Sequence, residues 1–126
     1  MPRKFNPAGA PPSPFYSQGV EVEAGARLVF VSGQVGVRPD GSVPEGIGEQ
    51  ARAAIENLIA VLAAAGMTPS DIVKTTIYLT DEANFDGFTS AAVPLLAQPP
   101  AATTLVYVKA LASPAFLVEI EAIAAG

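Results

Sequence analysis

The sequence predicts a single α+β domain, and three observations carry that reading. One long Ala-rich amphipathic segment sits near the middle of the chain. Stretches rich in β-branched and aromatic residues flank it on both sides. Clusters of Gly, Pro, Asp and Ser separate these stretches and mark turns. At 126 residues, half of them hydrophobic and 15% charged, the chain is too apolar for disorder and long enough for one core.

Taken in order, residues 1–15 form an extended N-terminal arm, since Pro2, Pro7, Pro11, Pro12 and Pro14 exclude a helix. Residues 16–126 form the domain. Val20-Glu21-Val22-Glu23 alternates with period two and reads as a half-buried strand. Ala24-Gly25-Ala26 turns the chain into the apolar run Leu28-Val29-Phe30-Val31, so the two strands are expected to form a hairpin. Arg38-Pro39-Asp40-Gly41-Ser42 is a turn, because Pro presets φ and Gly accepts a positive one. Residues 47–65 form a helix: Ala51, Ile55, Leu58, Leu62 and Ala65 recur at spacings of three and four, and Gly66 ends it.

Residues 72–80 form a strand, residues 84–97 a second helix weakened by Gly87 and Pro94, and residues 103–109 another strand. Residues 117–124 form the last. The order is β-β-α-β-α-β-β, a mixed sheet with two helices on one face. In the last strand Val118, Ile120, Ala122 and Ala124 point one way, and Leu117, Glu119, Glu121 and Ile123 the other. Both faces carry apolar residues, so the face away from the helices is expected to be covered by another subunit.

Composition excludes several kinds of chemistry. With no His and no Cys, a Ser-His-Asp triad, a thiol nucleophile and an imidazole base are all absent. The carboxylates are dispersed, and no metal-binding constellation stands out. Seven basic residues against twelve acidic ones give a net charge of −5, and the basic ones are scattered. That argues against nucleic acid, which requires clustered positive charge. The N-terminus leads into prolines rather than an apolar signal core, and the longest apolar run is about half the ~20 residues a membrane span requires. The expectation is a cytoplasmic protein with no membrane span.

The candidate site residues are few. Glu119 and Glu121 share a strand face about 7 Å apart. A partly desolvated carboxylate there serves as a general base, whereas a solvated one is only surface. Ser32-Gly33-Gln34 closes a strand where Gly admits a ligand close to the backbone; a plain strand exit has the same composition. Tyr16 offers either a hydrogen-bonding phenol or packing at the entry to the first strand. Lys74, in an otherwise uncharged strand, suits a structural ion pair.

Several segments together resemble the RidA/YjgF family. They are Tyr16-Ser17-Gln18-Gly19-Val20, Val31-Ser32-Gly33-Gln34, Gln50-Ala51-Arg52 through Asn57 to Ala64-Ala65-Gly66, Asp71 to Thr76, and the closing Val118 to Ala124. They fall in order over residues 16–124. The resemblance implies a chorismate-mutase-like α+β fold, a homotrimer with small-molecule clefts between subunits, and cofactor-independent hydrolysis of reactive enamines or imines, such as 2-aminoacrylate, to a 2-oxo acid and ammonia. It implies ligand positioning by Tyr16 and Ser32, with Gly33 beside it, and orientation of water by Glu119. The family's Pro-Ala-Arg-Ser signature holds an Arg that clamps the substrate carboxylate.

Counting back from Leu111, Thr103 stands at that Arg position. Loss of a bidentate charge-assisted pair costs about 2–5 kcal/mol, or roughly 30- to several-thousand-fold. The segment between Phe85 and Thr103 is a few residues short for the family, and Arg3 or Lys4 of the arm is a candidate replacement cation. Three functions follow. The first is a hydrolase of imines lacking the usual carboxylate. The second is a non-catalytic trimer that binds a small metabolite or a partner. The third and weakest is a single-stranded endoribonuclease.

Overall fold

A computed structural model describes residues 2–126. The elements are β1 (Arg3–Phe5), β2 (Gly19–Glu21), β3 (Leu28–Val35), α1 (Ile47–Ala64), β4 (Ile72–Leu79), α2 (Phe85–Ala92), β5 (Ala102–Tyr107) and β6 (Val118–Ala125). The main sheet has the order β3-β6-β4-β5. β6 runs antiparallel to both its neighbours, and β4 and β5 are parallel. The α+β class, the mixed sheet and the two helices agree with the sequence reading. No helix among the described residues is long and apolar enough to cross a membrane.

The expected hairpin between the first two domain strands is not formed. The turn exists, with Ala26 N donating to Glu23 O, but the strands on either side of it join different sheets. β3 takes β6 as partner, pairing Val29 with Ala124 and Val31 with Ala122. All four of these side chains lie in or against the core, a larger gain than a two-stranded hairpin offers. β2 instead accepts β1 from the arm, in the register Arg3–Glu21 and Phe5–Gly19. The arm is therefore tied down at its start. Arg3 Nε bonds Glu21 at 2.9 Å and its guanidinium lies 4.6 Å from the centroid of the Phe5 ring.

The core forms where α1 and α2 cover one face of the sheet. Ala51, Ala54, Ile55, Leu58 and Leu62 of α1 and Phe88 and Ala92 of α2 meet Ile77, Leu79, Val118, Ile120, Ala122 and Ala124. Gly66 ends α1 with φ +74, a value that side-chain-bearing residues rarely adopt. The second helix is shorter than the sequence suggests. It stops at Ala92, and Val93–Leu95 continues as a single 3-10 turn around Pro94.

Buried Gln50 ties α1 to the sheet. Its Nε2 donates to Pro44 O (3.0 Å) and Ala115 O (2.8 Å), and its Oε1 accepts from Leu117 N at 2.8 Å. Replacing Gln50 with Leu leaves one N–H and two carbonyls without their partner in the interior. Chemical denaturation is expected to show a loss of about 2–4 kcal/mol; a loss within 0.5 kcal/mol, the usual range for a surface substitution, would show that water replaces these bonds.

Candidate functional site

The sequence-predicted residues fall into two groups on opposite faces of the sheet. The first lies on the face away from the helices. At Ser32-Gly33 the β3–β6 register shifts: Val31 pairs with Ala122 but Gln34 pairs with Ile120, so two residues of β3 stand opposite Glu121 alone. Such a bulge re-aims the local side chains. The Glu119 side chain lies across Gly33, with Oε2 only 2.1 Å from where a Cβ at Gly33 would be. The carboxylate thus occupies space that any other residue at position 33 would fill. Among the described residues Glu119 makes no hydrogen bond or ion pair.

The second carboxylate of the face is engaged. Tyr78 pairs with Glu119 across β4–β6, and its hydroxyl donates to Glu121 Oε1 at 2.5 Å. That bond is the main cause holding the Tyr78 phenol above its usual value, followed by burial and the charges of Glu121 and Glu119. Of two carboxylates on one face, Glu119 is therefore the one left free. Lys74 lies on the same face and donates to Thr104 Oγ1 at 2.6 Å. Sequence reading assigned Tyr78 no role, because its contact with Glu121 depends on the pairing of two strands 43 positions apart in the chain.

Tyr16 and Thr103 form the second group, on the helix-covered side. They line a cavity of about 230 Å³ together with Phe15, Thr75, Phe88 and Leu105. Thr103 pairs with Thr75, and their hydroxyl oxygens are 2.8 Å apart. Thr75 is buried with Ile77 and Leu79 on the core face, so Thr103 faces the helices and not Glu119. The β5 residue opposite Lys74 is Ala102, and alternation puts it on the Glu119 face. Ala102 also bridges to Ser17, whose N–H donates to Ala101 O.

Distance separates Glu119 from the start of β5 as well. Glu119 pairs with Tyr78 and Ala102 with Lys74, with β4 lying between their strands. Four residues along β4 at ~3.3 Å each and two strand spacings of ~4.8 Å place the two backbones about 16 Å apart. The arm's cations are both occupied. Arg3 binds Glu21. Lys4 Nζ donates to Pro99 O at 2.6 Å, and burial lowers its pKa, with Asp71 opposing that shift.

The chain is thus a small α+β domain with one sheet face covered by helices and, on the other, a free carboxylate over a strand bulge. The family model described as Endoribonuclease L-PSP matches residues 8–126, and the chain belongs to this family, that of the RidA/YjgF proteins. The chain is similar to the 2-iminobutanoate/2-iminopropanoate deaminase of Mus musculus, at 43% identity over 72 residues, which cover 56% of this chain and 51% of that protein. The matched segment spans about half the length of that and several other curated relatives.

A longer match reaches the mitochondrial protein mmf2 of Schizosaccharomyces pombe, 40% identical over 112 residues, 87% of this chain and 86% of that one. Among solved structures, a Rid-family protein of unknown function from Yersinia pestis superposes with a TM-score of 0.83 at 34% identity, covering 98% of this chain and 97% of that one. Escherichia coli TdcF with bound serine gives 0.74 at 32% identity, covering 98% and 94%.

Proposed function

We propose that this chain is the subunit of a homotrimeric, cofactor-independent hydrolase that deaminates small enamines or imines in clefts between subunits. The observation that carries this reading is the free Glu119 carboxylate held over Gly33, next in the chain to Ser32. A carboxylate there orients a water and takes its proton as the oxygen adds to the imine carbon. The carboxylic acid so formed protonates the nitrogen to give the carbinolamine; the hydroxyl proton then passes through the carboxylate to the nitrogen, the C–N bond breaks, and ammonia leaves as the carbonyl forms. Ser32 and, from a neighbouring subunit, Tyr16 position the ligand.

Two further observations support an assembly. The open face exposes Leu28 (53%) and Phe30 (71%) beside Ile123, an apolar patch that a second copy would bury. The Glu119 and Tyr16–Ala102 regions, about 16 Å apart in one protomer, serve one ligand only if different protomers supply them.

The substrate follows from the missing guanidinium. Counted forward from Pro100, Pro100-Ala101-Ala102-Thr103 sets Ala102 at the signature Arg, on the Glu119 face, in place of the Thr103 assignment made from Leu111. A methyl group there offers no bidentate anion site, and Lys74 alone is a point charge. The substrates are therefore imines without the usual carboxylate. Net charge −5 and two carboxylates on the open face weigh against RNA cleavage.

Short neutral imines and 2-aminoacrylate, generated in situ, test the reading by release of carbonyl product. Wild type is expected to accelerate release from neutral imines, and Glu119→Ala to lose about 10²- to 10⁴-fold. Equal rates with both proteins on every imine would leave the non-catalytic ligand-binding trimer as the better account.

A further inference from the structure

We propose that the crevice beneath the loop joining β5 to β6 is a second binding site, one that takes a small zwitterion with an apolar side chain, the chemistry of an amino acid. The sheet order creates it. With the order β3-β6-β4-β5, the chain leaving β5 must pass over the end of β4 to reach β6, and residues 108–117 form that arch. β4 and β5 are parallel, so their C-terminal ends lie at the same end of the sheet. There β4 exits towards α2 while β5 exits into the arch. Chains that part at the C-terminal ends of neighbouring parallel strands leave a crevice, the usual ligand position in open sheets. Here it measures about 450 Å³, within the size range of small-molecule sites.

The arch is held in place from both ends. Val108 N donates to Leu79 O at 2.8 Å and Thr80 N to Leu117 O at 3.3 Å, one bond at each foot. Gln50 reaches from α1 to hold Ala115 O and Leu117 N, each at 2.8 Å. Groups already ordered lose little further freedom when a ligand binds.

Both signs of charge face the crevice, since Lys109 and Asp81 line it together. They form no ion pair with each other, and among the described residues the Lys109 ammonium makes no hydrogen bond or ion pair at all. Asp81 Oδ1 accepts from Ala83 N at 2.9 Å, which orients the carboxylate and leaves its other oxygen for a ligand. The Thr80 hydroxyl and the Asn84 carboxamide line the crevice uncommitted. Leu111, Phe116 and Leu117, each only partly exposed, supply an apolar wall. A ligand carboxylate suits Lys109 and a ligand ammonium suits Asp81; a molecule with one charge or none leaves a protein charge unanswered. Tyr16, Ser32, Gly33, Ala102 and Glu119 take no part in the lining, so this site does not depend on the deaminase reading.

The test follows backbone amide chemical shifts of the full chain during titration with L-norleucine, L-norleucinamide and N-acetyl-L-norleucine. Norleucine is expected to bind saturably, with Kd on the order of 1 mM or tighter for its roughly nine non-hydrogen atoms. The amide lacks the carboxylate and the acetyl derivative lacks the ammonium, so each should bind about tenfold more weakly, the worth of one charge-assisted hydrogen bond. Lys109→Gln should bring norleucine to the level of its amide without weakening the amide. Asp81→Asn, whose side chain still accepts from Ala83 N, should bring norleucine to the level of the acetyl derivative without weakening that derivative. Glu119→Ala should leave all three affinities unchanged whatever it does to imine turnover, which keeps failure here distinct from failure of the deaminase reading. Non-saturable binding of norleucine, equal affinities for the three ligands, or norleucine affinity indifferent to both charge substitutions would each overturn the proposal. So would loss of norleucine binding in Glu119→Ala, which would put the ligand at the proposed catalytic carboxylate instead.

Discussion

Gly33→Ala is expected to lower imine turnover about 100-fold while leaving the melting temperature within a few degrees of wild type. The new Cβ would fall 2.1 Å from Glu119 Oε2, 2.7 Å from its Cδ and 3.0 Å from its Cγ. Every one of these atoms belongs to the flexible end of a side chain on an open face. Glu119 relieves the overlap by rotating away, at little cost in stability. The carboxylate then leaves its position by about 1 Å or more, and a misplacement of that size costs on the order of 10²-fold in rate.

Gly36→Ala is the control, because the same change there meets main chain. Its Cβ would lie 2.8 Å from Gln50 Cα and 2.9 Å from Gln50 O, in a helix that cannot swing aside. That variant should lose about 1–3 kcal/mol of stability. Activity and stability measured together on the two variants separate the roles. A Gly33→Ala protein with wild-type turnover would remove the geometric basis for assigning Glu119 the water.

What the sequence made legible were the elements whose signals are local. The spacing of Ala51, Ile55, Leu58 and Leu62 marks α1, and the alternation from Val118 to Ala124 marks both β6 and its buried face. What it concealed depends on partners far along the chain. β1 has only three residues, and its place comes from pairing with Gly19–Glu21. β3 was legible as a strand, but its partner β6 lies about ninety residues away. The bulge at Ser32-Gly33 exists only relative to β6, so neither the close approach of Glu119 nor the Tyr78–Glu121 bond leaves a local signature.

The face of Thr103 shows the same limit most sharply. Strand side chains alternate, so a displacement of one residue in counting moves a side chain to the opposite face. Counting from Leu111 passes through an irregular loop between Tyr107 and Val118; counting from Pro100 passes through two residues. The second count agrees with the register in which Lys74 faces Ala102.

Ala102→Arg is accordingly expected to raise kcat/KM for 2-aminoacrylate and other 2-imino acids by about 30-fold or more, the lower end of what a bidentate carboxylate pair contributes. The new guanidinium would project from the start of β5 onto the Glu119 face, opposite Lys74, and bring planar paired donors that an ammonium lacks. Thr103→Arg should do the reverse. Its guanidinium would enter the cavity lined by Ile77, Phe88 and Leu105, where no carboxylate waits for it, and the protein should lose stability with no gain in turnover. Steady-state rates and thermal denaturation of both variants decide between the two positions. A gain from Thr103→Arg and none from Ala102→Arg would reverse the assignment of the substrate-facing residue, and with it the proposed preference for substrates without a carboxylate.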